Sequence, residues 1–202
     1  MTQGWPVRLR EGRIELRPLR LRDASAWREV RSRNAAWLRP WEATMPLSEG
    51  HASTTYGAMV RRLRAEAREG HSLPFAIMVD GCFAGQVTVG GIARGSLLSA
   101  YVGYWIDQRY AGRGVMPTAV ALATDHCFRE VGLHRVEINV RPENVASLRV
   151  VEKLGFRAEG LREGYLHIDG EWRDHLSFAM CDEDVPEGVL ARWLVSRVSP
   201  SA

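Results

Sequence analysis

The sequence predicts a single α+β domain in which helices flank one mixed sheet. Segments that alternate apolar with polar residues, the pattern of half-buried strands, recur between segments of helical periodicity. The 202 residues are 46% hydrophobic, which is enough for one core. No repeat, linker or change of composition divides the chain. We therefore expect residues 1–202 to form one domain, with peripheral tails at 1–13 and 183–202.

Composition and charge exclude several classes of protein. The apolar content is too high for an intrinsically disordered chain, and charges interrupt the apolar runs well before the ~20 residues that a membrane span needs. The first 22 residues alternate arginine with apolar residues and do not build the apolar block of a signal peptide. A net charge of +3 is too small, and its charges too scattered, for a nucleic-acid partner. We expect a soluble, cytoplasmic protein with no membrane partner.

Cysteine and histidine usage predicts neither a disulfide nor a metal site. The cysteines Cys82, Cys127 and Cys181 are odd in number and far apart in the sequence. The six histidines show no spacing typical of zinc ligands.

The first predicted elements are one strand and two helices. Ile14–Leu21 alternates in the manner of a strand. Asp23 is expected to cap a helix that ends near Arg33, because a carboxylate can accept the free N–H groups of a first helical turn. A longer helix is predicted over Ser48–Glu69, before a glycine that can end it.

Three strands and a loop follow. Leu73–Val79 and Cys82–Val89 flank the dipeptide Asp80–Gly81, a strong hairpin signal. Leu97–Ile106 is the fourth predicted strand, and the glycine-bearing loop Arg109–Gly114 comes after it.

The C-terminal half continues to alternate helices with strands. Its predicted elements are a helix over Val115–Val131, a strand over Arg135–Arg141, a helix over Asn144–Leu154, a hairpin of Tyr165–Ile168 and Trp172–Met180 around Asp169–Gly170, and a short helix over Pro186–Val198.

The loop before the helix at Val115 has the chemistry of a phosphate site. Gly112 and Gly114 lack a Cβ and let a ligand approach the backbone closely. The first N–H groups of the following helix are free to bind an anion, and Arg109 and Arg113 add positive charge. The spacing matches neither the dinucleotide fingerprint nor the Walker loop. By these residues alone, a plain tight turn is an equal alternative.

Two motifs in order resemble the GNAT superfamily of acetyl-CoA-dependent N-acetyltransferases. Arg109-x-x-Gly112-x-Gly114 is similar to the pyrophosphate loop of that family. Asn144–Phe156, which begins thirty residues after Gly114, resembles the later family motif of an asparagine, a small residue three positions on, and Gly-Phe. The resemblance implies a single GNAT domain whose mixed, mostly antiparallel sheet is splayed between its fourth and fifth strands.

Two further segments resemble one branch of the superfamily. Asn34–Glu42 and Tyr165–His175 are similar to the RimJ/RimL branch of ribosomal-protein alanine N-acetyltransferases. With these segments the resemblance covers residues 14–182. It implies transfer of the acetyl group of acetyl-CoA, a co-substrate, to the N-terminal α-amine of a protein such as a ribosomal protein. The amine attacks directly in a ternary complex, and the enzyme is a monomer or a homodimer.

The resemblance also implies which residues bind acetyl-CoA. Backbone groups of Tyr104, Trp105 and Ile106 would hold the pantetheine arm in the gap of the sheet, and one amide there would stabilise the oxyanion. Asn144 would bond to pantetheine and Lys153 would reach the 3′-phosphate; their alternatives are a helix cap and a solvated lysine. The residues implied around the pyrophosphate are Arg109, Ala111, Gly112, Arg113, Gly114, Val115 and Met116.

The catalytic residues are less evident in the sequence. The usual tyrosine acid of the family is replaced by Val151. Ser147 lies one helical turn after the motif asparagine, where its hydroxyl can bond to the sulfur; the alternative is a spectator near the helix cap. Tyr101 occupies a position where many relatives carry a glutamate base. Glu137 and Asp174 are further base candidates, although an ion-pair role suits them better.

The expected acceptor site comprises Trp37, Trp41, Glu42 and Asp174. Pro40 is expected to keep Trp37–Glu42 out of a helix, which would leave the two tryptophans exposed as a recognition surface. A hydrophobic cluster under the next helix is the alternative. Other functions also remain open. One is acetylation of a small amine such as an antibiotic, a polyamine or an amino acid, and another is acetyl-CoA binding without catalysis.

Overall fold

The computed structural model describes residues 4–46 and 55–198, and one sheet of eight strands forms its centre. The strands are Leu9–Glu11 (β1), Ile14–Pro18 (β2), Leu73–Val79 (β3), Cys82–Ala93 (β4), Ser99–Ile106 (β5), Arg135–Val140 (β6), Arg157–Ile168 (β7) and Glu171–Cys181 (β8). They lie in the order β1-β2-β3-β4-β5-β6-β8-β7. Neighbouring strands are antiparallel except β5 and β6, which are parallel. The predicted mixed, mostly antiparallel sheet is confirmed.

Helices cover both faces of this sheet. Within the described ranges they are Ala24–Arg33 (α1), Ala35–Leu38 (α2), Tyr56–Glu69 (α3), Val115–Arg129 (α4), Val145–Leu154 (α5) and Val189–Val198 (α6). Helices α4, α5 and α6 share the larger hydrophobic cluster, and α1 and α3 share the smaller one. In the described part of the chain, no helix is long and apolar enough to span a membrane.

Strand β3 separates the two clusters. Phe75 and Ile77 pack into the larger cluster, whereas Ala76 and Met78 pack into the smaller one. Successive side chains of a strand point to opposite faces, so a strand covered on both faces is apolar throughout. This explains why Leu73–Val79 is one unbroken apolar run with the predicted bounds.

The sheet opens between β5 and β6, as the resemblance implies. The two strands pair over Ser99–Tyr101 and Arg135–Glu137, and within the described chain their pairing stops there. The rest of β5 stays paired with β4 on its other side. Backbone groups on one edge of Tyr104–Ile106 are therefore left free, close to the start of α4.

The first strand and helix differ in detail from their predictions. Strand β1 was not predicted, and β2 ends at Pro18, before the predicted Leu21. The prediction that the side chain of Asp23 caps α1 is wrong. Its buried carboxylate instead accepts two hydrogen bonds of 2.8 Å from Arg17. The Arg17 guanidinium takes both carboxylate oxygens, and one of them also accepts a bond of 2.9 Å from the Arg20 N–H group, so the carboxylate bonds to residues before α1 and not to its first turn.

The segment around Pro40 is more helical than predicted. Trp37 lies in α2, and a 3-10 turn over Arg39–Trp41 follows it. Proline is tolerated there because the first turn of a helix leaves its N–H groups unpaired. The irregular segment expected over Trp37–Glu42 is therefore wrong for residues 37–41.

Helix α3 begins at Tyr56, where the Thr55 hydroxyl accepts a bond of 3.3 Å from the Ala58 N–H group. Residues 48–54 of the predicted helix lie outside the described residues. The predicted end at Gly70, in the left-handed conformation with φ of 82°, is confirmed.

The last helix is part of the core. Val189 and Trp193 of α6 are buried in the larger cluster, and the Trp193 Nε1–H group donates to the Thr118 hydroxyl at 2.8 Å. The expected peripheral tail at 183–202 is therefore wrong for the helical part. At the other end of the chain, the Trp5 ring packs against Phe75 with 5.1 Å between centroids, so residues 1–13 are not wholly peripheral either.

Candidate active site

A cavity of about 710 Å³ lies where the sheet opens. Four parts of the chain form its wall: the end of β5, the loop into α4, helix α5, and the segment from α1 to residue 43. The described residues that line it are Arg31, Trp37, Leu38, Trp41, Glu42, Ala43, Tyr104, Trp105, Tyr110, Ala111, Gly112, Gly114, Val115, Met116, Pro117, Glu143, Asn144, Val145, Ala146, Ser147, Arg149, Val150 and Lys153.

The loop into α4 forms an anion cradle at one end of the cavity. Gly112 and Gly114 have φ values of 71° and 77°, in the region that favours glycine. A Cβ built on Gly112 meets no atom within 4 Å, so this face of the loop is open. The free N–H groups of the first turn of α4 lie beside it, and a helix N-terminus attracts an anion.

The side chain of Arg109 does not contribute to this cradle. Its Nε and Nη2 groups donate to Asp107 at 3.0 and 2.9 Å. Neither Arg109 nor Arg113 is among the described residues that line the cavity. Asp107 balances the charge of Arg109, so the expectation that this charge faces the phosphate is not supported. Arg113 is exposed, and its role at the phosphate stays a prediction.

Asp107 ties the loop to helix α1. Its fully buried carboxylate also accepts bonds from Arg33 at 2.9 Å and from the Asn34 amide at 3.1 Å. The Asn34 oxygen in turn accepts a bond of 3.0 Å from the Gln108 N–H group. Burial by itself would raise the pKa of Asp107, but the bonds from Arg109, Arg33 and Asn34 outweigh it and lower that pKa to about 2.

Two hydroxyl groups meet on the wall of the cavity. The Tyr104 and Ser147 oxygens are 2.7 Å apart. Burial raises the pKa of Tyr104 to about 12. Asn144 caps α5, as predicted, and its side-chain oxygen accepts a bond of 3.1 Å from the Ser147 N–H group. The sequence placed Ser147 here but did not pair it with the side chain of Tyr104.

The other candidate catalytic residues lie elsewhere. Tyr101 is exposed, packs over Gly90 and Gly91, and is not among the described lining residues. It is three residues from Tyr104 on one strand, so the two side chains point to opposite faces of the sheet. The Glu137 carboxylate accepts bonds from two arginines at 2.9 and 3.0 Å, the ion-pair role considered for it. Tyr101 as a catalytic residue is therefore not supported by its position.

Three of the four expected acceptor residues line the cavity. Trp37 and Trp41 are each half-buried in its wall, not exposed as expected, and Glu42 lies beside them. Asp174 is exposed and is not among the described lining residues. Its carboxylate accepts a bond of 2.7 Å from the Gly164 N–H group, which occupies it in the β7–β8 hairpin.

The tip of this hairpin holds the acceptor segment in place. Ala43 forms a bridge with Ile168, and the Arg39 guanidinium contacts Asp169 at 3.1 Å. The two segments that resemble the RimJ/RimL branch are therefore in contact in the folded chain, although more than a hundred residues separate them in the sequence.

Arg31 is a cavity residue that sequence reasoning missed. Its guanidinium donates to the Glu42 carboxylate and lies 5.4 Å and 5.3 Å from the rings of Trp27 and Trp105. Cation–π contacts of this kind hold an arginine in one orientation. In the sequence it is one of many helical arginines, and no local pattern singles it out. The other lining residues that were missed include Tyr110, Glu143 and Arg149.

The remaining cofactor candidates divide between wall and core. Trp105 and Lys153 line the cavity, and the Lys153 ammonium lies 6.0 Å from the Trp193 ring. The side chain of Ile106 is buried in the larger cluster, which leaves its backbone as the group that can bind a ligand.

A cluster of His134, Cys181 and Glu183 forms outside the cavity wall. Their ligand atoms lie within 4.8 Å of one another. The His134 Nε2 atom is 3.0 Å from the Glu183 carboxylate, so these two side chains already pair with each other. Sequence spacing did not suggest the cluster, because its members are far apart in the chain. His134 directly precedes β6, whereas Cys181 and Glu183 lie at and just after the end of β8, the next strand in the sheet. We assign no metal to it.

Comparisons with known proteins agree on one family. Residues 13–157 match the family model described as "Acetyltransferase (GNAT) domain". The [ribosomal protein uS5]-alanine N-acetyltransferase of Escherichia coli (strain K12) is 30% identical over 184 residues, which are 90% of this chain and 94% of that protein. The probable N-acetyltransferase YjcK of Bacillus subtilis (strain 168) is 38% identical over 121 residues, 60% and 67% of the two chains.

A solved structure resembles the chain over almost its whole length. The structure of Mycobacterium smegmatis RimJ in complex with CoA-disulfide superposes with a TM-score of 0.90 at 43% sequence identity, covering 98% of each chain.

Proposed function

This chain belongs to the GNAT family of acetyl-CoA-dependent N-acetyltransferases, and from that premise we propose that its acceptor is the N-terminal α-amino group of a protein. The relative named as a [ribosomal protein uS5]-alanine N-acetyltransferase favours a ribosomal protein as that acceptor. The observation that carries the proposal is the pairing of charges on the cavity wall.

Both carboxylates on the described part of the wall have an arginine partner. Glu42 pairs with Arg31, and Glu143 lies 3.1 Å from Arg141. Arg149 and Lys153 add positive charge to the same wall. A polyamine or a polycationic drug needs an excess of carboxylates, whereas the single amine of a peptide N-terminus does not. The balance of charge therefore favours the peptide over the polycation.

The co-substrate fits the open edge of the sheet. In the proposed arrangement the free backbone groups of Tyr104 and Trp105 bind the pantetheine arm, and one amide there stabilises the oxyanion. The amides from Gly112 to Met116 hold the pyrophosphate. The open face of Gly112 supports this placement, because a bulky group can approach the loop without a clash.

The reaction joins the two ends of the cavity. The neutral amine, positioned near Glu42, attacks the thioester carbonyl, and the carbon–sulfur bond breaks as the tetrahedral intermediate collapses. An α-amine has a pKa of about 7.7–8.0, so roughly 17–28% is neutral near pH 7.3. Substantial catalysis is therefore available from positioning and oxyanion stabilisation without a strongly tuned base. Ser147 faces the departing sulfur in this arrangement.

A panel of acceptors tests the proposal. The protein is incubated with acetyl-CoA and peptides that begin with a free alanine, serine or methionine, and the products are analysed by mass spectrometry. Matched peptides with a blocked N-terminus and an internal lysine serve as controls, together with spermidine and an aminoglycoside. We expect one acetyl group on the free α-amine and none on the blocked peptides. Acetylation of the small amines alone, or binding of acetyl-CoA without release of CoA for any amine, would overturn the proposal.

A further inference from the structure

We propose that Tyr104 is a positioning residue that holds the hydroxyl of Ser147 so that Ser147 passes a proton from the attacking amine to the departing sulfur. The inference rests on the proposed function, since it concerns the same acetyl transfer. It assigns a role to the side chain of Tyr104, in addition to its backbone on the open edge of β5.

Two independent bonds fix Ser147. Its N–H group donates to the Asn144 side chain at 3.1 Å, at the start of α5. Its hydroxyl lies 2.7 Å from the Tyr104 hydroxyl across the gap between α5 and β5. Both Tyr104 and Ser147 line the cavity, so the pair faces the space where the thioester has to lie.

Tyr104 is the better donor of the pair. A phenol is more acidic than an aliphatic hydroxyl, and the burial that raises the pKa of Tyr104 to about 12 keeps it protonated at neutral pH. A serine hydroxyl has one hydrogen and two acceptor sites. When Tyr104 donates to one acceptor site, Ser147 keeps its own hydrogen and one acceptor site for the reactants.

These two remaining groups match the proton balance of the reaction. Attack leaves an extra proton on the nitrogen of the tetrahedral intermediate, and cleavage of the carbon–sulfur bond leaves a thiolate that lacks one. Ser147 accepts the proton from nitrogen at its free lone pair as it gives its own proton to sulfur. Ser147 ends neutral, Tyr104 stays protonated throughout, and no separate base is consumed.

This relay accounts for two departures from the common family pattern. Val151 is a buried hydrocarbon side chain and cannot act as an acid, and Tyr101 is not among the described residues that line the cavity. A relay through one serine needs neither of them. It needs only that the serine hydroxyl be oriented, which is the function that the Tyr104 hydroxyl supplies.

A double-mutant cycle tests the inference. The variants are Ser147→Ala, Tyr104→Phe and the double variant, each assayed for kcat and for the KM of acetyl-CoA. We expect Ser147→Ala to lower kcat ~10–100-fold and Tyr104→Phe to lower it ~10-fold, with the KM of acetyl-CoA little changed. In the Ser147→Ala background, Tyr104→Phe should have no further effect, because the group that it positions is gone.

Three measurements can overturn the inference. The first is a kcat of the double variant that is lowered by the product of the two single losses, which would mean that the two residues act independently. Another is a raised KM of acetyl-CoA in Tyr104→Phe with kcat unchanged, which would mean a binding role. The third is a changed pH profile of kcat: a positioning residue leaves its shape intact, whereas loss of an alkaline limb in Tyr104→Phe would make Tyr104 the acid itself.

A matched control separates chemistry from stability. Tyr56→Phe also removes one tyrosine hydroxyl that bonds within the fold, here to the Arg20 carbonyl at 2.9 Å, on the opposite face of the sheet. It should leave kcat unchanged. If the native chain acetylates no peptide, the proposed function fails. If the native chain is active and Ser147→Ala is impaired while Tyr104→Phe is not, this inference alone fails.

Discussion

The guanidinium of Arg109 lies on the buried carboxylate of Asp107, with N–O distances of 3.0 and 2.9 Å. Arg109, the first residue of the phosphate-loop motif, therefore helps to hold the loop in its conformation. Arg33 reaches the same carboxylate from α1, the helix that leads to the acceptor segment. Asp107 thus connects the proposed co-substrate and acceptor ends of the cavity through one charged group.

Asp107→Asn should destabilise the fold by about 3 kcal/mol, since it removes the buried charge that pairs with Arg33 and Arg109. The lowered pKa of Asp107 also predicts that the stability of the fold depends on pH. The folded pKa of about 2 is below the ordinary value of 3.8. The resulting stabilisation of about 2 kcal/mol is present above pH 4 and is lost as the pH falls towards 2.

Urea unfolding at several pH values between 7 and 3 measures this. The difference in free energy of unfolding between native chain and Asp107→Asn should shrink as the pH falls below 4. Asp182→Asn, at an exposed position, should follow the native chain throughout. A constant difference across the pH range would show that folding leaves the pKa of Asp107 unshifted.

The phosphate loop was predictable because its chemistry is local. Gly112, Gly114 and the helix N-terminus after them are neighbours in sequence, and positive φ requires glycine there. The partner of Arg109 was two residues away but could not be predicted. Whether an arginine faces a ligand or a buried carboxylate depends on Arg33 and Asn34, which approach from more than seventy residues away.

Gly112→Asp should abolish binding of acetyl-CoA, because its carboxylate would occupy the cradle and repel the pyrophosphate. Gly95→Asp is the matched control: Gly95 has the same φ of 71°, has no atom within 4 Å of a built Cβ, and is not among the described lining residues. Isothermal titration calorimetry should show loss of binding in the first variant and native affinity in the second. Equal affinity in both variants would place the phosphates elsewhere.

Trp193→Ala should lower the free energy of unfolding by about 3–5 kcal/mol, the usual cost of removing a large buried aromatic side chain. The Trp193 ring packs in the larger cluster. It also lies beside the loop into α4, since its Cζ2 atom is 3.4 Å from a Cβ built on Gly114. Val195→Ala, on the exposed side of α6, should change stability by less than about 0.5 kcal/mol. Chemical denaturation of both variants tests this. If both lower the free energy of unfolding by similarly small amounts, α6 is not part of the core.

The contribution of α6 also shows where sequence reasoning failed. Its apolar residues predicted a helix, which is confirmed, but periodicity does not reveal what a terminal helix packs against. Trp193 finds its hydrogen-bond partner, Thr118, seventy-five residues earlier in α4. The same limit applies to Tyr104 of β5 and Ser147 of α5, which lie forty-three residues apart and which only the folded chain joins.

Glu42→Gln tests the proposed acceptor end. A charge-assisted bond from the ammonium form of an incoming peptide to Glu42 would be lost. Arg31 would also keep its positive charge without the carboxylate that now balances it. Both effects disfavour the peptide N-terminus, so we expect its KM to rise ~10-fold. The KM of acetyl-CoA should stay unchanged, because Glu42 belongs to a different part of the cavity wall from the loop that forms the anion cradle.

Steady-state kinetics measures the two KM values separately. Acetyl-CoA is varied at a fixed peptide concentration, and the peptide is then varied at a fixed acetyl-CoA concentration. A rise in acceptor KM with kcat unchanged is the signature of lost binding that is uniform between ground state and transition state. Glu29→Gln is the control, since this exposed glutamate on α1 pairs with Arg33 outside the described cavity wall. If Glu42→Gln keeps the native acceptor KM, the amine binds elsewhere. Trp37 and Trp41 beside it would then serve packing and not recognition.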